Sequence, residues 1–149
     1  MKTLTAVNVA LCALGLSAAF AAETKVKMAD LPTPVQQTVK EQTKDATLVG
    51  ITKEKENGKT VYEVETKVNG KGRDILVDTT GAVIEVEQEV EIDSIPAAAK
   101  AAIEKKAAGA KITKVETLTK AGKTTYEAAI TKGKKTSEIT VAADGSAVK

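Results

Sequence analysis

The chain reads as an α+β protein of two tandem units, each a helix followed by a four-stranded antiparallel sheet, with the units sharing a sheet or an interface. Three observations carry this. First, one sequence plan recurs sixty-four positions apart without a gap. Gly58-Lys59-Thr60-Val61-Tyr62-Glu63 returns as Gly122-Lys123-Thr124-Thr125-Tyr126-Glu127, while Pro32 matches Pro96, Ile75 matches Ile139 and Gly81 matches Gly145. A fixed offset held by turn glycines and apolar positions marks one supersecondary unit used twice. Second, each copy opens on an apolar stripe at helical spacing. Third, each continues in a period-two alternation broken by turn residues.

Residues 1–21 read as a cleaved leader. Lys2 supplies a positive start, 4–20 is mostly apolar and small, and Ala19-Phe20-Ala21 fits the small-x-small pattern of signal cleavage. The apolar run is short for a membrane span and Glu23 follows it, so no stable span is expected after cleavage. Unit 1 is then 22–89 and unit 2 is 90–149.

The first helix is expected over 33–44, opened by Asp30, Leu31 and Pro32 and striped by Val35 and Val39. Its threonines lower its propensity. Strands follow near 47–56, 60–68, 72–79 and 82–89. Tyr62, Val64 and Thr66 alternate with Glu63, Glu65 and Lys67, so one face is apolar and the other polar. Asn57-Gly58 and Asn69-Gly70 are hairpin signals, because both residue types tolerate positive φ. The second helix is expected over 96–107, with Asp93 and Ser94 as capping residues and Ile95, Ala99 and Ile103 as the stripe. Gly109 stops it. Strands follow near 111–120, 123–131, 135–142 and 146–149.

Composition excludes several functions. The 22 basic and 20 acidic residues leave a net +2, or +1 without Lys2. With no basic stripe and few aromatics, the chain does not read as a nucleic-acid binder. There is no histidine, and the single cysteine, Cys12, lies in the leader. Ser-His and Cys-His catalysis and ordinary zinc sites are therefore excluded from the mature chain. Gly58-Lys59-Thr60 ends like a phosphate loop, but Lys53 stands where its first glycine belongs, so it reads as a hairpin turn. Asp78 and Asp144 lie near turns without the dense oxygen spacing of a calcium loop and read as turn formers. No catalytic, cofactor or metal residue is assigned.

Tyr62 and Tyr126, the only tyrosines, are in phase with the apolar strand face and are expected to pack under the helices. The opposite face holds Val61, Glu63, Glu65 and Leu76 from unit 1, and Thr125, Glu127, Ala129 and Thr140 from unit 2. Half-apolar and half-acidic, these eight residues are the candidate partner-contact surface.

The run Ile95-Pro96-Ala97-Ala98-Ala99-Lys100, then Gly109-Ala110-Lys111-Ile112, then Gly122-Lys123-Thr124-Thr125-Tyr126-Glu127, closed by Ala142-Ala143-Asp144-Gly145, resembles the PepSY and PepSY-like domains of bacterial exported proteins. The resemblance covers nearly the whole mature chain as two copies. It implies a helix-on-antiparallel-sheet fold, similar in architecture to the β-lactamase inhibitor proteins. It also implies a periplasmic or secreted location and a role in holding or inhibiting a peptidase or other exported enzyme. The expectation is thus a non-enzymatic module that docks an exported protein by its wet sheet face or by an edge strand. The alternatives are a small-ligand or cation-binding envelope protein, and a structural or stress-related periplasmic protein.

Overall fold

A computed structural model describes residues 23–148; the expected leader and Lys149 lie outside the described residues. The strands are β1 (Thr24–Lys25), β2 (Thr47–Glu56), β3 (Lys59–Val68), β4 (Lys71–Asp78), β5 (Val83–Glu89), β6 (Lys111–Lys120), β7 (Lys123–Lys132) and β8 (Lys135–Val141). Two helices, α1 (Thr33–Gln42) and α2 (Ala97–Ala107), follow short 3-10 turns at Met28–Asp30 and Ile92–Ser94.

The strands form one open antiparallel sheet in sequential order from β1 to β8. This corrects the expected α+β fold of two tandem helix-plus-four-strand units: the described residues are mostly β, a single sheet with two short helices. Hydrogen bonding decides the matter. β5 pairs with β4 on one side and, through Glu85–Glu89 against Glu116–Lys120, with β6 on the other, so the ladder runs without a break through the middle of the chain. The strand expected at 146–149 is reduced to one bridge, Val141 to Ala147. At the other end, Thr24 and Lys25 add a short strand along β2.

The sixty-four-residue offset is nevertheless visible in local detail. β2 carries a bulge between Leu48 and Gly50, and β6 carries its counterpart between Ile112 and Lys114. The Val26 N–H bonds the Ile51 carbonyl, as Val90 bonds Val115. The turn at Gly81 lies so close to α1 that a Cβ there would sit 2.8 Å from the Pro34 carbonyl oxygen, and Gly145 approaches Ala98 on α2 in the same way, at 2.6 Å. Both glycines have φ above +80°, a second reason for the residue type.

Both helices pack on the same face. Val35 and Val39 of α1 meet Ile51, Tyr62, Val64, Ile75 and Val77. Ala99, Ile103 and Ala107 of α2 meet Val115, Ala128, Ile139 and Val141. Tyr62 is buried in the first cluster and Tyr126 packs at the margin of the second, as their phase requires. Among the described residues no helix is long and apolar enough to cross a membrane.

Candidate functional site

Strand parity sends every second side chain to the face that neither helix covers. Register aligns them into rows across the sheet. Thr52, Glu63, Leu76, Glu85 and Lys120 are successive partners from β2 to β6. The adjacent row runs Gly50, Glu65, Asp74, Glu87, Leu118 and Thr125. A third joins Glu89, Glu116, Glu127 and Thr140. The eight residues read from the sequence therefore share one face, on β3, β4, β7 and β8, but the two halves of the set are separated by β5 and β6.

This face is curled. Lys120 Nζ lies 2.8 Å from Glu85 Oε2 on the neighbouring strand and 3.0 Å from Glu56 Oε1 on β2. β2 and β6 are four inter-strand spacings apart, about 19 Å in a flat sheet. One lysine and one glutamate side chain cannot bridge that gap, so twist and coiling must bring the ends of β2 and β6 together. The face is thus a trough. Val61 shows it most clearly: it points away from both helices, yet is only 2 % exposed. Thr52 on the same face is 6 % exposed. Val61 forms part of the floor, while Glu63, Glu65, Leu76, Thr125, Glu127, Ala129 and Thr140 are half-buried along it.

Burial inside the trough governs its electrostatics. Glu63 is pushed up to about 7, first by desolvation and then by Glu54, Asp74, Glu65 and Glu23. Glu87 rises to about 8, again by desolvation first, with Glu116, Glu85, Asp74 and Glu127 adding like charge. Glu127 rises to about 7 by burial, against a 2.9 Å hydrogen bond donated by the Thr140 hydroxyl. Burial also raises Asp74. Each protonated form is favoured because ionisation would put charge in a poorly solvated place beside other carboxylates.

Asp74, Glu87 and Glu116 each direct a carboxylate oxygen to within 4.8 Å of the others. Lys114 reaches the same cluster, its ammonium 2.5 Å from Glu116 Oε1. Asp74, Glu85, Glu87, Lys114, Glu116 and Lys120 were not among the residues read from the sequence. The available signal was the alternation of Glu85, Glu87 and Glu89; that Glu87 meets Glu116 follows only from the pairing of β5 with β6.

The residues read as turn formers are turn formers. Asp78 Oδ1 accepts from the Thr80 N–H and hydroxyl and from the Ala82 N–H. Asp144 Oδ1 accepts from the Ser146 N–H. Gly58 and Gly122 take positive φ at hairpin tips, after Asn57 and Ala121 in the same region, as type I′ turns require.

No family model matches this chain, PepSY included, and no curated protein matches it. Solved structures do. A candidate periplasmic protein from Bacteroides eggerthii is 15% identical with a TM-score of 0.66, covering 80% of this chain and 86% of that one. A DUF2874 family protein from Bacteroides ovatus is 15% identical at 0.62, covering 80% and 85%. A BLIP-like protein from Bacteroides fragilis is 18% identical at 0.59, covering 80% and 84%. At these identities the likeness establishes a shared fold. The architecture is BLIP-like.

Proposed function

We propose that this chain is a periplasmic, non-enzymatic binding module whose curled acidic face docks another exported protein, with a peptidase as the first class of partner to test. One observation carries the reading: both helices cover one side of an eight-stranded sheet and leave the other as a trough of half-buried carboxylates around Leu76 and Leu118. Candidate periplasmic proteins and a BLIP-like protein among the solved structures of this fold, and the leader expected at 1–21, support export. The raised glutamates could serve as general acids or bases. Desolvation and like charge account for their values, however, and the mature chain has no histidine or cysteine to work with them.

The test is capture from the exported fraction of the host, with wild type and a Glu63→Lys/Glu127→Lys variant side by side. A partner held by the wild type and lost by the folded variant supports docking at this face. Equal capture by both proteins, or none after crosslinking, overturns it.

A second reading, cation binding, is favoured by the convergence of Asp74, Glu87 and Glu116. Calcium ordinarily takes six to eight oxygens, and the Lys114 ammonium already lies against Glu116, so this reading ranks behind docking. A calcium-dependent rise in melting temperature that is lost in Glu87→Gln would reverse the order.

A further inference from the structure

Two opposed interactions meet in the trough. Lys120 is a clasp: it ties Glu56 at the end of β2 to Glu85 on β5, across the width of the curl. The carboxylates inside act the other way. Glu63 faces Glu54 on β2 and Asp74 on β4, with Glu65 beside it on its own strand and Glu23 ahead of β1. Glu87 faces Asp74 on β4 and Glu116 and Lys114 on β6, with Glu85 along its own strand. Glu127 faces Glu116 and Lys114 on β6 and Glu138 and Thr140 on β8. Lys114 and Lys120 are the cations bridged inside the trough, and Lys25 on β1 lies at the edge of the row that contains Glu63, through its pairing with Thr52.

We propose that the trough is a proton-controlled clamp: the Lys120 clasp holds the sheet tightly curled while Glu63, in the row that runs from β2 to Lys120, keeps its proton, and ionisation of Glu63 spreads β2 from β6 and opens the face. As regulation of docking this rests on the reading above; as a motion of the sheet it does not. The direction follows from linkage. In the curled form Glu63 titrates near 7, whereas a glutamate bathed in water titrates near 4.5. The curled form therefore binds protons more tightly, and raising the pH through this window shifts the population toward the open form. The clasp is a partly exposed ion pair, whose modest strength leaves the two forms close enough in energy to interconvert.

The experiment needs no partner. Nitroxide labels are placed at Lys59→Cys and Lys123→Cys in a Cys12→Ser background. These exposed positions pair with Glu56 and Lys120, so their separation reports the clasp. Distances are measured by pulsed electron resonance at about pH 5.5 and about pH 8.5, which bracket Glu63. A short distance at the lower pH, with a longer population appearing at the higher pH, is expected. Glu63→Gln should stay short at both pH values, and Lys120→Met should show the longer population at both. Superposable wild-type distributions at the two pH values overturn the clamp, as does lengthening of the Gln variant to the wild-type extent. If Lys120→Met does not fold, the wild-type and Gln comparison decides alone. Docking lost in the Glu63→Lys/Glu127→Lys variant while label distances ignore pH would sink the clamp and leave the binding reading standing.

Discussion

Replacing Glu87 with glutamine should stabilise the protein at alkaline pH and do little at acidic pH. In the folded chain its carboxyl titrates near 8 because burial and the neighbouring Glu116, Glu85 and Asp74 disfavour its charge. Unfolded, it returns to about 4.5. The folded state therefore holds this proton more tightly than the unfolded state. The resulting penalty is absent below about pH 4.5, grows as the pH rises, and is complete above about pH 8. At about 1.4 kcal/mol per unit the full displacement bounds the effect near 5 kcal/mol. Because the trough opens to water, screening and relaxation reduce this to about 1–2 kcal/mol. Glutamine keeps the shape and removes the charge. Urea melts followed by circular dichroism should show Glu87→Gln more stable than wild type by that amount at about pH 8.5, and within about 0.5 kcal/mol of it near pH 5. A variant offset independent of pH, or a variant less stable at alkaline pH, would refute the reasoning, because burial of the ionised carboxylate would then carry no cost.

Three further outcomes follow from the packing. Gly81→Ala meets both a left-handed backbone and the Pro34 carbonyl, whereas Gly58→Ala meets the same φ with nothing within 4 Å. The first should cost about 2–3 kcal/mol and the second about 1 kcal/mol in denaturant melts, and equal costs would deny the close seating of the turn on α1. Tyr62→Ala should cost about 3 kcal/mol or more, and Tyr126→Ala clearly less, since only Tyr62 is buried; a Tyr126 loss as large as that of Tyr62 would contradict the placement. Ala121 holds φ of 50° where its counterpart is Asn57, so Ala121→Asn should raise stability by about 0.5–1 kcal/mol, measurable as a higher urea midpoint.

The elements were legible because each is specified locally. Alternation places Tyr62, Val64, Ile75 and Val77 on one face, and β2 and β6 run over the residues the pattern marks out. Asn57-Gly58 and Asp144-Gly145 announce their turns through backbone tolerance alone. The acidic character of the opposite face was likewise readable, and Glu63 and Glu127 were selected because alternation sets them opposite Tyr62 and Tyr126.

The sequence by itself determined strands β2 to β8, the two helices, the turn chemistry and the parity that turns Glu63, Asp74, Glu87 and Glu127 away from the helices, since all of these depend on residues within a few positions of one another; the β1 edge and the loss of a strand at 146–149 it did not. Tertiary structure alone decided how the halves join. Pairing of β5 with β6 has no local signature, because a strand edge offers the same hydrogen bonds to any partner, and it turned two expected units into one sheet. That continuous sheet also coils, which brings Lys120 to Glu56, sinks Val61 and desolvates the glutamates. Coiling accumulates across many strands, so no short stretch of sequence records it.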